Sequence, residues 1–485
     1  MGIAVRETHT AYVVMVDDVV YKAKKPIRTA FLDFSTANQR RSACDREVEL
    51  NRRLCPDVYL GVAELADPTG GPAEPLVKMR RMPDNRRLAT IVVRGDDSPA
   101  QLDEIADVIA RFHERAVRGR DIDEDATRDA VAARWRANVT EAVGYQPRAL
   151  AEVDVDEIAR RARQYLVGRE PVFTERIECG RIVDGHADLL ADDIFCLPDG
   201  PRILDCLDFD DHLRHIDGLD DAACLAMDLE YLGRADLGEA FVRRYCAHAT
   251  DDPPPTLIDH YLAYRAFMRA KVACLRYTQG STEALVDARG HAQLALRHLR
   301  SGAVRLALIG GLPGTGKSTL SRAVAERVGA TVLSSDRVRK ELAGVGPHVS
   351  CADEYGHGLY SGTMTETTYT ELLRRAARLL SRGRSVVLDA SWTDPRLRQW
   401  ATSTARKEHS DLVEIECVAP RSVAVERIRT RPHGNSDATA EIYDAMAQRV
   451  THPPLATPID TTTDLGDAVD AVRALWDATE GWRNY

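Results

Sequence analysis

The sequence predicts a two-lobed α+β domain followed by an α/β domain built on a parallel sheet. Two observations predict it. Up to about residue 300, a short strand-rich stretch gives way to long helical periodicity interrupted by one hairpin pattern. From residue 301, apolar strand runs alternate with helices, and the first run leads into GLPGTGKS at 311–318. The expected domains are residues 1–300 (small lobe about 1–92, helical lobe about 93–300) and 301–485, with the boundary in RSGAVR at 300–305. A chain of 485 residues suits two or three domains at roughly 100–200 residues each.

Taken in order, AYVVMV and VVYKAK flank an Asp-Asp pair and read as a hairpin. CDREVELNRRL is helical, with Val48, Leu50 and Leu54 near one face. DPTGGPAEP is a turn, and LVKMRRM is a strand running to Pro83. Helical patterns fill 99–168. GRIVDGHADLLADDIFCL and RILDCLDF return as strands joined by the turn PDGP, and helices follow to about residue 300. VRLALIGG, TVLSS, SVVLDAS and LVEIECVA then suit buried parallel strands.

Composition narrows the class. Hydrophobic residues are 44% and charged residues 29%, which suits a globular chain with sizeable cores. No apolar run approaches the ~18 residues of a membrane helix. The start MGIAVRETHT lacks a secretory pattern, and Arg6 does not fit a myristoylation signal, so a cytoplasmic location without membrane partners is expected. The ten cysteines form no Cys-x-x-Cys pair and read as reduced core residues. Net charge is −10, which argues against general nucleic-acid binding. Residues 301–485 hold 23 basic and 23 acidic side chains, so the excess lies entirely in the first 300 residues, where it would suit a cationic small substrate or simply solubility. Of 65 basic residues only eight are Lys. Three of these are Lys22, Lys24 and Lys25, and another is Lys317.

The second half carries the most specific pattern. Gly311, Leu312, Pro313, Gly314, Thr315, Gly316, Lys317 and Ser318, with Thr319 behind them, lie between an apolar strand and a helix. Glycines let N–H groups turn inward around phosphates, and the helix N-terminus adds positive potential. Lys317 can reach β and γ phosphates, and Ser318 can ligate Mg²⁺. ATP and Mg²⁺ are therefore the expected cofactors. Asp336 is placed at the end of the second strand, where a carboxylate can accept a hydroxyl proton, with Arg339 one turn later to hold oxygens. Asp389 ends another strand as a second group for Mg²⁺. Arg427 and Arg431, spaced i, i+4, either close over the nucleotide or solvate a helix face. These residues resemble the small P-loop kinases, including gluconate and shikimate kinases, zeta toxins and the kinase part of polynucleotide kinases. The resemblance covers about 303–480 and implies phosphoryl transfer. In that family the groups at the positions of Asp336 and Arg339 engage the acceptor.

The first half offers an ordered set. In a protein-kinase-like site one Asp orients the acceptor hydroxyl, a group five residues on binds metal, and an Asp on the neighbouring strand completes the metal site. Here these are Asp188, Asp193 and Asp205, with Asp208 in reserve and His186 bracing the loop. Lys22 would serve the phosphates and Glu47 would hold it; Lys24 and Glu49 are the alternatives. MRRMP could join the lobes. Tyr261, Tyr264, Arg265, Met268 and Arg269 recur at helical spacing as an acceptor face or a packed helix. The set resembles the aminoglycoside phosphotransferase and choline kinase group. VYKAKKPI, FLDFST, LNRRLCPDVYLGV, KMRRMP and AMDLEYLG resemble a bacterial family that joins such a domain to a C-terminal P-loop domain, over nearly the whole chain. The resemblance implies an ATP- and Mg²⁺-dependent phosphotransferase with two kinase-type domains and a small hydroxyl acceptor. The departures are Ala187 where the group has Gly, Asp193 where it has Asn, and ETHTA in place of a Gly-rich loop.

Overall fold

Alternating side chains at the start of the chain form an antiparallel sheet of β1 (Ile3–Glu7), β2 (Ala11–Val16), β3 (Val19–Lys24), β4 (Tyr59–Leu65) and β5 (Glu74–Arg80), in the order β1-β2-β3-β5-β4. The β2–β3 turn places Asp17 at φ 50°, a left-handed conformation that Asp tolerates better than most residues. Between β3 and β4 runs α1 (Ala37–Asn51), started by a Thr36/Gln39 capping box. Its Cys44 and Val48 pack with Val58, Tyr59 and Val77. That packing turns Glu47 toward β3. The sequence placed the strand of LVKMRRM up to Pro83, but β5 stops at Arg80.

This computed structural model describes residues 3–8, 10–28, 33–68, 70–145, 149–346, 361–430, 439–448 and 456–479, and not the side chains of 152 and 153. Helices follow the sheet: α2 (Leu88–Arg94), α3 (Pro99–Arg115), α4 (Arg120–Glu124), α5 (Arg128–Val143), α6 (Glu152–Gly168) and α7 (Glu170–Glu178). Four short strands come next, β6 (Ile182–Asp184), β7 (Ile194–Leu197), β8 (Gly200–Ile203) and β9 (His215–Asp217). β7 pairs with β8, as the PDGP turn predicts, and β6 pairs antiparallel with β9. Then come α8 (Gly218–Tyr231), α9 (Ala235–His248), α10 (Pro255–Thr278) and α11 (Ala284–Ser301). The first domain thus has the two-lobed protein-kinase-like fold, a small antiparallel sheet with one helix and a larger helical lobe.

The second half alternates strand and helix: β10 (Arg305–Gly310), α12 (Lys317–Val328), β11 (Thr331–Ser334), α13 (Ser335–Leu342), α14 (Gly362–Leu380), β12 (Val386–Asp389), α15 (Pro395–Lys407), β13 (Asp411–Val418), α16 (Arg421–Thr430), α17 (Ala440–Ala447), β14 (Thr457–Asp460) and α18 (Leu465–Asp477). The five strands are parallel in the order β11-β12-β10-β13-β14. β10 is buried along its length, as a central parallel strand must be. β14, which carries Pro458, takes an edge, where a missing N–H costs least.

The chain separates into two compact units, but not at one position. The first holds Met1–Glu152, Thr174–Pro253 and Tyr261–Ala295, and the second Val153–Phe173, Pro254–His260 and Leu296–Tyr485. The division read at 301 therefore assigns α6 to the wrong unit. Gln164 on α6 donates to Asp411 at 2.7 Å, and Arg169 donates to the Glu408 carbonyl at 2.7 Å. Thr256 donates to the Gly383 carbonyl at 2.7 Å. Gly168 lets the backbones approach, since a Cβ there would lie 2.7 Å from the Glu408 oxygen.

In the first unit, buried Asp217 accepts both Arg176 Nε and Nη2 at 2.7 Å, the Tyr261 hydroxyl at 3.1 Å and the Leu219 N–H at the start of α8. Removing one partner of such a buried pair strands the other charge. Asp217→Ala is expected to destabilise the first unit by about 3–5 kcal/mol, read as an earlier urea transition in hydrogen exchange of its amides.

Candidate active sites

β3 presents Lys22 and α1 presents Glu47, and the two meet at 2.9 Å. Lys22 also reaches Asp205 at 3.2 Å. Burial works against the Lys22 ammonium, but Asp205 and Glu47 outweigh it and hold its pKa well above the usual lysine value. Glu47 is shared, because Lys24 Nζ lies 2.7 Å from its second oxygen and 2.9 Å from Asp208. Lys24 and Asp208 are thus part of the same array. Burial opposes the Glu47 charge, and the two lysines more than offset it, so its pKa is lowered. Glu49 faces Arg46 instead, at 3.0 Å.

The His186–Asp188 turn is built by a residue that sequence reasoning did not find. Asp221, buried on α8, accepts the N–H groups of His186 at 2.6 Å and Ala187 at 2.9 Å, and bonds His113 Nε2 at 3.0 Å. Arg265, itself paired with Asp220, donates to the Ala187 carbonyl at 2.8 Å. Together these hold Ala187 at φ 71°, a left-handed conformation natural to Gly. The Ala-for-Gly departure therefore leaves the backbone shape in place at some cost in strain.

His186 braces the site. Its Nε2 meets the Leu204 carbonyl at 3.1 Å, and its Nδ1 accepts the Asp188 N–H at 3.4 Å, so the proton sits on Nε2. Burial pushes its pKa down to about 4, which keeps it neutral. Asn51, at the end of α1, accepts the Cys206 N–H at 2.9 Å, and Arg53 donates to the carbonyls of Asp184 and Gly185 at 3.0 and 2.8 Å. None of Asp221, Asn51 or Arg53 was given a role from the sequence, although Asn51 and Arg53 lie in the LNRRLCPDVYLGV stretch. The partial signal is LNRRL, whose Asn51 is buried at the end of α1.

The carboxylates crowd one another. Burial, then the charges of Asp205 and Asp188, push Asp193 well above the usual carboxylate range. Burial raises Asp188 to about 6 against the pull of Arg269, whose guanidinium is 3.7 Å away. The Lys22 charge lowers Asp205. Excess negative charge on hard oxygen donors fits a divalent cation such as Mg²⁺, held by Asp193 and Asp205. Asp193 and Asp205, the expected metal pair, lie close enough for the Asp205 charge to raise Asp193. Asp205 also accepts from Lys22 at 3.2 Å. On α10, Tyr261, Tyr264 and Arg265 are buried, so the packed-helix reading holds for them, while Arg269 faces Asp188.

In the second domain the loop from Gly311 to Gly316 joins β10 to α12, with Gly316 as the helix N-cap at φ 86°. Gly314 has φ 76°, and a Cβ there would lie 2.3 Å from the Ala424 oxygen. Lys317 Nζ donates to the Leu312 carbonyl at 2.8 Å, folded over the loop it would serve. β10–β12 pairing sets Ile309 beside Asp389, which brings Asp389 to the loop. The Ser318 hydroxyl donates to Asp389 at 2.7 Å. Burial raises the Asp389 pKa against Lys317 and that hydrogen bond, so this oxygen pair also fits Mg²⁺. Thr315 donates to the Leu312 carbonyl at 2.8 Å, and Thr319 lies in the first turn of α12.

Asp336 does not end a strand as expected. β11 stops at Ser334, and Asp336 sits in the first turn of α13, where the N-terminal dipole favours a carboxylate. Arg339, nearly buried, donates to it at 3.0 Å. Asp336 is close enough for its charge to raise Asp389. Arg427 is not a free lid arginine. It donates to the Thr461 carbonyl at 2.8 Å, while Thr461 Oγ1 donates to the Thr315 carbonyl at 2.7 Å, so both brace the phosphate loop. Arg431 lies outside the described residues. Thr461 was missed because nothing near it in sequence marks it.

Residues 306–453 match the AAA domain family. Over the whole chain, the Mycobacterium tuberculosis protein Rv2004c, described as an uncharacterized protein, is 48% identical across 474 residues, 98% of this chain and 95% of the relative. Its Mycobacterium bovis counterpart Mb2027c matches to the same extent. The chain belongs to the family of these mycobacterial proteins. Among solved structures, a choline/ethanolamine kinase family protein from Mesorhizobium loti is 14% identical, covering 62% of this chain and 92% of its own with TM-score 0.38. A gluconokinase from Sinorhizobium meliloti is 18% identical, covering 35% and 90% with TM-score 0.26. No described helix is long and apolar enough to cross a membrane.

Two outcomes follow from the loop geometry. Ala187→Gly relieves a left-handed strain of about 1–2 kcal/mol but adds about 0.5–1 kcal/mol of chain entropy. A gain of at most about 1.5 kcal/mol is expected, seen as a raised melting midpoint. Gly314→Ala should push the loop off α16 and weaken nucleotide binding by about tenfold or more, as one lost charge-assisted hydrogen bond does, measured by calorimetric titration of an ATP analogue.

Proposed function

We propose that this protein is an ATP- and Mg²⁺-dependent phosphotransferase with two kinase-type sites, each moving the γ-phosphoryl group of a nucleoside triphosphate to a hydroxyl of a small acceptor. The observation that supports it is that each domain independently gathers a lysine, oxygen donors for a cation and a further carboxylate beside an arginine. In the first domain these are Lys22, Asp193 with Asp205, and Asp188; in the second they are Lys317, Ser318 with Asp389, and Asp336.

In either site the carboxylate (Asp188 or Asp336) accepts the acceptor O–H proton as that oxygen bonds to the γ-phosphorus. The bond to the β-bridging oxygen breaks, and ADP leaves with the electron pair. Lys22 and Lys317 hold the phosphates, and Arg339 steadies acceptor or phosphoryl oxygens. Mg²⁺, when bound, would neutralise charge on the transferring group. In the first domain the surplus of Asp side chains suits an acceptor with cationic groups, such as an amino sugar. Nucleic acid fits less well with a net charge of −10.

One observation favours a second reading, a single working P-loop kinase with a binding or regulatory first domain. Asp205, expected to hold the metal, is already engaged by Lys22. ADP release across sugars, amino sugars, polyols and 5′-hydroxyl nucleic acid separates the readings. Lys317→Ala and Asp188→Asn should each abolish turnover with a different acceptor class, by about 10²-fold or more. If Lys317→Ala removes all turnover and Asp188→Asn changes none, the two-site reading fails.

A further inference from the structure

Away from the aspartates described above, three side chains from different parts of the first domain converge. Asp125 caps the end of α4, His212 lies in the turn before β9, and His215 opens β9. Their donor atoms lie within 4.8 Å of one another, the one such set of three among the described residues. His212 Nδ1 is 2.8 Å and His215 Nδ1 is 2.6 Å from the same oxygen, Asp125 Oδ2. Neither imidazole nor Asp125 takes part in the two sites above.

We propose that Asp125, His212 and His215 bind a divalent transition metal of the zinc class. Two imidazole nitrogens and one carboxylate are a donor set that suits Zn²⁺ and disfavours Mg²⁺, which takes oxygens. Tetrahedral zinc bonds space neighbouring donors by about 3.3 Å, so the two contacts at 2.6 and 2.8 Å need to open by about half an ångström. His212 is 77% exposed, and that side chain can move to make the room. Its solvent side leaves an entry path and a fourth position for water. On binding, each imidazole gives up to solvent the Nδ1 proton it donates to Asp125, ligates through Nδ1 and carries its one proton on Nε2. The inner side is fixed, because His215 is 14% exposed and pairs in register with Asp184 on β6.

The position gives the metal a consequence. Asp184 lies two residues before His186, and the segment from Asp205 ends at His215. A bound ion would tie β9 to the end of α4 and, through the β6–β9 pairing, brace the strand that leads into the His186–Asp188 turn. Without an ion, the same three side chains make only two hydrogen bonds to one oxygen.

The test needs no assay of phosphoryl transfer, so it stands or falls apart from the proposed function. The full chain is stripped with chelator and titrated with Co²⁺ in excess Mg²⁺, which fills hard-oxygen sites. A visible cobalt band saturating at one equivalent and displaced by Zn²⁺ is expected. His212→Ala and Asp125→Asn should weaken it by about tenfold or more, since even an outer-shell change costs that much, with wild-type circular dichroism. His212 is exposed, so its variant tests the site where Asp125→Asn disturbs folding. Wild-type titration by His212→Ala, or no saturable band in the wild-type chain, overturns the proposal.

Discussion

The His186–Asp188 turn hangs on one buried carboxylate. Asp221 accepts two consecutive backbone N–H groups and a histidine, which leaves Ala187 no freedom to leave its left-handed conformation. Burial opposes the Asp221 charge, but the His113 hydrogen bond and nearby cationic groups hold its pKa below the usual carboxylate range. The carboxylate therefore stays ionised and keeps its grip. Everything aimed from the turn inherits that geometry: the direction of Asp188, the tautomer of His186, and the contact of His186 with Leu204, just past β8.

Around this anchor the first domain manages an excess of negative charge. Lys22 and Lys24 divide Glu47 between them and pair outward with Asp205 and Asp208. The four contacts make one continuous chain, Asp205–Lys22–Glu47–Lys24–Asp208, in which no single ion pair is isolated. Asp193 stands outside it, and burial, followed by the charges of Asp205 and Asp188, raises its pKa. The second domain solves the same problem with fewer charges. Asp389 receives a hydroxyl and a lysine field, and Asp336 has both a helix N-terminus and Arg339.

Legibility differed between the two sites for a physical reason. The phosphate loop is contiguous, and its glycines, lysine and serine are needed at fixed offsets by backbone geometry, so spacing alone identified it. The first site draws Lys22, Glu47, Asp188 and Asp205 from across more than 180 residues. Their order was readable, and the structure does join Lys22 to Glu47 and Asp205. The role of Lys24 was not, because two lysines on one strand look alike until the partner helix is placed. Asp221, Asn51 and Thr461 sit in ordinary helical or turn sequence, and their importance comes from what packs against them.

The sequence by itself determined the strand–loop–helix around Lys317, the parallel class of four of the five strands, and the identity of the charged groups in the first site, because these follow from local periodicity and chemistry. Tertiary structure alone decided which carboxylate meets which cation, that Asp205 takes Lys22, and that Arg427 braces Thr461. It also decided that α6 belongs with the P-loop unit. A helix pattern reports that one face will be buried but not against what. Here Gln164 finds Asp411, and Arg169 finds the Glu408 carbonyl, some 240 residues away in the chain.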